Sequence, residues 1–211
     1  MNAATQYGVV LGRFQPPHLG HMEYLEAAKR RCDRLVIGIT NPDASSYKFH
    51  SADPKRSEPD NNPFTYFVRH EMIDETLRDS GWLPGTFAIV PADITDISRV
   101  GIFLPEIDHT TVFITVYDEW GDEKARRLAS IGYRVEILWR RKMSERLTSG
   151  TELRRSLKSN TPWTHLVPPA VARYLNRAVT QGNAAIGTPK HPEHKLTSSA
   201  AQRRTTEGPD D

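Results

Sequence analysis

Gly12-Arg13-Phe14-Gln15-Pro16-Pro17-His18-Leu19-Gly20-His21 joins a short apolar run to an amphipathic stretch, and this junction decides the fold. Residues 7–11 before it read as a buried strand. Residues 19–31 after it set Met22, Leu25 and the small Ala28 on one helical face. Working outward, residues 34–40, 86–90, 110–116 and 133–138 repeat the β-branched strand pattern. Most lack in-out alternation, as in a parallel sheet covered on both faces. Between them, residues 64–79 offer Phe67, Met72, Ile73 and Leu77 for burial, with Asn62 as N-cap and Pro63 in the first turn. Residues 122–131 form a further helix that stops at Gly132. Strand alternating with helix predicts a single α/β domain over residues 1–179. Its architecture is a Rossmann-like, doubly wound parallel sheet with helices on both faces.

Two segments break the rhythm. Residues 41–62 contain three prolines and little periodicity, which predicts a long insertion loop or lid. Residues 180–211 have only Ile186 and Leu196 as bulky apolar side chains, with four basic and four acidic residues. That composition predicts a disordered tail.

Composition narrows the function. The 211 residues carry 28 Lys and Arg against 26 Asp and Glu, a net charge of +2, which argues against a nucleic-acid partner. The single cysteine, Cys32, excludes an intramolecular disulfide framework and a Cys-based zinc site. No run approaches a membrane span, and the first residues lack a signal-peptide pattern. The expectation is a cytoplasmic protein without membrane attachment, for which a homo-oligomer is compatible.

The opening junction lies where open α/β sheets bind ligands. A helix N-terminus there offers free N–H groups and a positive dipole end. Arg13 adds a forked charge suited to phosphate. His18 and His21, three apart, point to one region, and Gly20 would let a ligand approach the backbone. The same histidines also suit metal ligation or plain helix capping, although no third metal ligand is evident nearby. A second helix start, Ser149-Gly150-Thr151-Glu152-Leu153-Arg154-Arg155, reads as a capping box with Glu152 reaching back to Ser149. Arg154 and Arg155 oppose the dipole there unless an anion sits between them, so a second phosphate contact is expected.

Together His18-Leu19-Gly20-His21 and Ser149-Gly150-Thr151-Glu152-Leu153-Arg154 resemble the two signatures of HxGH-type nucleotidylyltransferases. The similarity to archaeal-type nicotinamide-mononucleotide adenylyltransferases runs from Gly8 to Val179. It includes Asn62-Pro63-Phe64-Thr65 and Pro162-Trp163 through Pro168. The resemblance implies transfer of a nucleoside monophosphate from a nucleoside triphosphate, with Mg²⁺ and release of pyrophosphate. It makes His18, His21 and Arg154 catalytic, and gives Gly12, Arg13, Phe14, Gly20, Ser149, Gly150 and Thr151 to the nucleotide. Lys48 is a mobile phosphate contact or a solvated lysine. Where adenylyltransferases carry Thr-Gly-Asn, this chain reads Thr115-Val116-Tyr117-Asp118-Glu119-Trp120-Gly121. The region 99–103 lacks their nicotinamide-stacking Trp, with Phe103 as the one aromatic candidate for that place. These departures, with Thr40-Asn41-Pro42-Asp43, resemble the cytidylyltransferases of phosphonate pathways, phosphonoformate type. That resemblance implies CTP and a small phosphonate or phosphate acceptor, with Asn41, Asp43, Phe103, Tyr117 and Trp120 on the acceptor. Arg13, Arg69, Arg99 and Arg140 are candidate cations for its anionic head. Trp120 is either a base-stacking platform or a buried core residue. Two readings compete with cytidylyl transfer: adenylyl transfer to nicotinamide mononucleotide, and a nucleotide-binding sensor without turnover.

Overall fold

The computed structural model describes residues 5–43, 58–94 and 96–180. Lys48, most of the 41–62 insertion and the tail beyond Thr180 lie outside them. Five strands, β1 (Thr5–Gly12), β2 (Cys32–Thr40), β3 (Phe87–Ala92), β4 (Thr110–Val116) and β5 (Arg134–Arg140), form one parallel sheet in the order β3-β2-β1-β4-β5. The chain winds outward from β1 to β3, crosses back, and winds out again through β4 and β5. The strand order therefore reverses between β1 and β4, where the loops leaving the two strands part and open a crevice.

Alternate residues of β1 serve opposite cores, which is why its sequence shows no polar face. Val9 and Leu11 pack with Val112, Ile114 and the helix α3 (Glu119–Ser130) through Trp120 and Leu128. Val10 packs on the other side with α1 (Leu19–Lys29), through Met22, Leu25 and Ala28, and with α2 (Tyr66–Asp79), through Ile73 and Leu77. A third cluster joins Met72 of α2 to Leu153 of α4 (Gly150–Lys158) and to Val171 and Leu175 of α5 (Pro169–Thr180). The connection from β3 to β4 has no α-helix among its described residues. Short 3₁₀ turns at Ile97–Ile102 and Ile107–His109 take its place.

Three helix boundaries differ from the sequence expectation, each for a local reason. α2 begins at Tyr66 rather than residue 64, because the Thr65 hydroxyl accepts from the Val68 N–H and Phe64 is held in the third core. Phe67 is 67% exposed and Arg69 takes the buried position instead. α3 starts a turn early because the Asp118 carboxylate caps the Gly121 N–H at 3.1 Å. α1 ends at Lys29, two residues short of the predicted stop.

Arg69 ties the loops together. Although only 1% exposed, it donates to the carbonyls of Arg13 (2.8 Å), Thr40 (2.7 Å) and Asn41 (2.7 Å), the exits of β1 and β2. It is thus a fold-building cation, spent on backbone carbonyls rather than on an acceptor. Replacing it with methionine strands three carbonyls, each of which costs about 1–3 kcal/mol if left unpaired in the interior. Arg69→Met is expected to lower unfolding free energy by about 3 kcal/mol or more, and Arg69→Lys by less, in urea titrations of the purified proteins.

Candidate active site

The chain turns out of β1 through Phe14, whose φ of 51° is left-handed and whose ring is fully buried. Gly12 makes room for that ring, since a Cβ there would stand 2.9 Å from it. The Gln15 side chain then pairs with the Phe64 backbone in both directions at 2.9 Å. These contacts deliver His18 to the N-cap of α1, although its side chain makes no cap bond. The rings of His18 and His21 stack with centroids 3.7 Å apart, and the Phe14 ring lies tilted 4.7 Å from His21.

Both imidazoles are held neutral. Burial first, then the Arg146 and Arg154 charges, lower the His18 pKa to about 3. For His21 the causes are burial, His18, Arg13 and Arg146, and its pKa also lies well below the usual histidine value. Nδ1 of each ring is buried without a hydrogen-bond partner among the described residues. Gly20, on the cleft wall, has a second use. A Cβ there would sit 3.2 Å from the Thr148 carbonyl and 3.3 Å from the His18 ring, so the glycine also makes room for protein.

The second helix start docks beside the first. Ser149 caps α4 by accepting from the Glu152 N–H at 3.2 Å, but Glu152 accepts from the Thr148 hydroxyl at 3.2 Å instead of reaching back to Ser149. Arg154, 8% exposed, donates to the Gln15 carbonyl (2.8 Å), the Asn61 side-chain oxygen (2.9 Å) and the Thr151 hydroxyl (3.3 Å). Gly150 clears its path, since a Cβ there would meet the guanidinium at 2.9 Å. Burial pulls the Arg154 pKa down from the guanidinium value. Arg155 is exposed and points elsewhere, so the two adjacent arginines do not share the anion site as expected.

Between the two helix starts lies a cleft of about 240 Å³ at the C-terminal ends of β1 and β4. Gly12, Arg13, Phe14, His18, Gly20 and His21 line one side of it, and Ser149, Gly150, Thr151 and Arg154 another. Tyr117, Asp118 and Trp120 form the rim contributed by β4 and α3, and Trp120 is both 9% exposed and cleft-lining. Two further cations reach in that the sequence reading passed over. Lys124 of α3 donates to the Leu11 carbonyl at 3.2 Å, and Arg146 stacks on the Tyr117 ring at 4.2 Å. Neither stands in a motif; only the adjacency of β1 and β4 brings them in. Four cations therefore face one lining carboxylate, Asp118, which favours a polyanion.

The remaining candidates sit apart from this cleft. Asn41, with a φ of 52°, gives its carbonyl to Arg69, and Asp43 is exposed at the end of the described stretch. Phe103 lines a separate hollow with Tyr7, Arg34 and Val36. Arg99 is exposed, and Arg140 pairs with Asp122 at 2.7 Å. Among the described residues no group of three or more His, Cys, Asp or Glu is arranged to hold a metal. The cleft lining offers one carboxylate, Asp118, so a divalent cation there would be held chiefly by the oxygens of a bound phosphate. No helix among these residues is long and apolar enough to cross a membrane.

Comparison with known proteins agrees with this geometry. The phosphonoformate cytidylyltransferase of Streptomyces viridochromogenes is 44% identical over 168 residues, covering 80% of this chain and 89% of that protein. A nicotinamide-nucleotide adenylyltransferase of Methanoculleus marisnigri is 35% identical over 166 residues, 78% of this chain and 86% of its own. Among solved structures, a bifunctional NMN adenylyltransferase/ADP ribose pyrophosphatase from Francisella tularensis shares the fold, with a TM-score of 0.62 at 15% identity. It is matched over 85% of this chain, which spans about half (51%) of that longer one. A second structure from the same source, complexed with AMP and a Mn ion, has a TM-score of 0.57 at 15% identity, covering 86% of this chain and 52% of that one. The family model described as Cytidylyltransferase-like matches residues 9–156, more than half of the sequence, and the chain belongs to that family.

Proposed function

We propose that this nucleotidylyltransferase moves a cytidylyl group from CTP to a phosphonate oxygen of a small acceptor such as phosphonoformate, releasing pyrophosphate, in the making of a phosphonate natural product. The observation that carries the chemistry is the pairing of two neutral, stacked histidines with Arg13, Lys124, Arg146 and Arg154 around the cleft between two helix N-termini. The choice of CTP and phosphonate is supported by the 44% identity to a phosphonoformate cytidylyltransferase, against 35% for an adenylyltransferase.

The reaction asks little covalent work of the protein. An acceptor oxygen is already anionic and nucleophilic. It attacks the α-phosphorus, the bond to the pyrophosphate oxygen breaks, and pyrophosphate departs with its electron pair. What remains is positioning and charge stabilisation. Neutral imidazoles at His18 and His21 can donate N–H groups to phosphate oxygens without holding the product as a full cation would. Arg13, Lys124, Arg146 and Arg154 supply the positive field. Magnesium bound to the triphosphate would neutralise charge on the leaving pyrophosphate. The aromatic rim of Tyr117 and Trp120 adjoins the phosphate-binding half, so we assign it to the nucleoside in preference to the acceptor. The protein is expected to work in the cytoplasm.

Pyrophosphate release from the purified protein with Mg²⁺, each nucleoside triphosphate, and either phosphonoformate or nicotinamide mononucleotide tests the reading directly. Release with CTP and phosphonoformate is expected; release with ATP and nicotinamide mononucleotide alone would establish the adenylyltransferase instead. His21→Ala should reduce kcat by about 100-fold or more while changing CTP affinity only a few-fold. An equal loss in both would identify a binding protein. The neutral histidines also set an acid limit on stability. The unfolded chain binds protons near pH 6.5, whereas folded His18 stays unprotonated until about pH 3. Stability of the nucleotide-free protein should therefore fall as pH drops below about 6.5, by up to about 1.4 kcal/mol per pH unit for each such histidine. Urea midpoints measured between pH 7 and 5 should show this slope, shallower in His18→Asn.

A further inference from the structure

A parallel sheet is normally covered on both faces, because each crossover between its strands lays a helix on one of them. Here α1 and α2 pack on one face of the sheet and α3 on the other. The crossover from β3 to β4 also runs over the face that carries α3, but its described residues form only 3₁₀ turns. The sheet beneath is left short of cover. Strand register sets Tyr7 beside Arg34 and Val36 beside Ala88, so these residues and Val90 share that face. Their apolar members floor a hollow of about 580 Å³, walled by Phe103 and Leu104 of the turn-built crossover. Its rim is polar and exposed, with Gln6 and Arg34 on the strands and Glu106 and His109 on the crossover. Among the described residues neither the Arg34 guanidinium nor the Glu106 carboxylate enters an ion pair. Ile102, which lines the same hollow, is 68% exposed.

We propose that this face is the contact surface between two copies of the chain related by a two-fold axis. An apolar centre within a polar rim is the anatomy of a protein interface. Isologous contact needs a surface that complements itself, and this one holds a knob, a hollow and one charge of each sign. Ile102 of each copy enters the hollow of the other, and Arg34 of each meets the partner's Glu106. The two charges left without ion pairs within one chain are thereby satisfied between chains. The hollow lies toward the starts of β1 and β2, whereas the cleft opens at the C-terminal ends of β1 and β4. Pairing therefore leaves both clefts accessible, and it is independent of the chemistry assigned to them.

The test is sedimentation velocity of the full chain over a hundred-fold concentration range from about 1 μM upward, with circular dichroism to confirm folding. A dimer is expected. Ile102→Glu, at a side chain already exposed, should keep the spectrum and shift the chain to monomer. Arg34→Glu and Glu106→Arg should each weaken self-association about ten-fold or more, because each sets like charges against one another at both ends of the contact. Mixing these two variants, or joining both substitutions in one chain, restores opposite charges at both ends, and the dimer should return. Loss of a general surface property would not be repaired in this way. A chain that stays monomeric throughout overturns the proposal and leaves the hollow to a small apolar ligand or to this chain's own residues beyond Thr180. A dimer that Ile102→Glu or the charge reversals leave intact, or one that the opposite-charge combinations do not restore, also overturns it.

Discussion

The bond from Arg154 to the Gln15 carbonyl spans 139 residues and makes one site out of two helix starts. A charged donor 8% exposed needs every N–H satisfied, and a carbonyl in a tight turn needs a donor. Each meets the other's requirement. Around this contact the local sequence is constrained. Gly150 must lack a side chain for the guanidinium to pass, Asn61 must offer an oxygen, and Gly20 must let the Thr148 carbonyl close in. The two motifs are spaced so far apart in sequence because each belongs to a different half of the sheet. They meet because both halves point the C-terminal ends of their strands the same way.

The positive charge of the cleft has two kinds of origin. Arg13, Lys124, Arg146 and Arg154 carry it, whereas the histidines, crowded by those same groups and by burial, contribute only oriented N–H dipoles. The division would suit the proposed reaction, in which both substrates and both products are polyanions. Fixed cations collect them, and neutral donors orient without tightening the grip on the product.

Much of the fold was legible because parallel strands buried on two faces and amphipathic helices have distinct periods. The five strands lie close to where their apolar runs put them, and Ser149 caps α4 as its residue type suggests. The departures come from competition between local and tertiary demands. Thr65 and Asp118 outbid Asn62 and the helical pattern as caps because their oxygens reach an N–H three residues on. At Phe67 and Arg69 the usual expectation inverts: three unpaired loop carbonyls outweigh the preference for burying an aromatic ring. In the site, residues inside the motifs were visible, and Lys124 and Arg146 were not. Both depend on β4 lying beside β1 and β5 beside β4, a non-local fact that no window of sequence contains. The same limit applies to Phe103, whose place follows from a connection built of 3₁₀ turns rather than a helix.

Burial across the sheet is graded, with β4 and the Gly8–Leu11 stretch of β1 nearly sealed and most residues of the two edge strands, β3 and β5, only partly covered. Opening free energies in such a sheet fall from the centre outward, so amide protons of the edges exchange through fluctuations that leave the middle intact. The histidine helix grows from β1, and the aromatic rim from β4. The reacting centre is therefore mounted on the last part of the molecule to open. Fraying at the margins can proceed on its own timescale without dismantling the machinery at the centre.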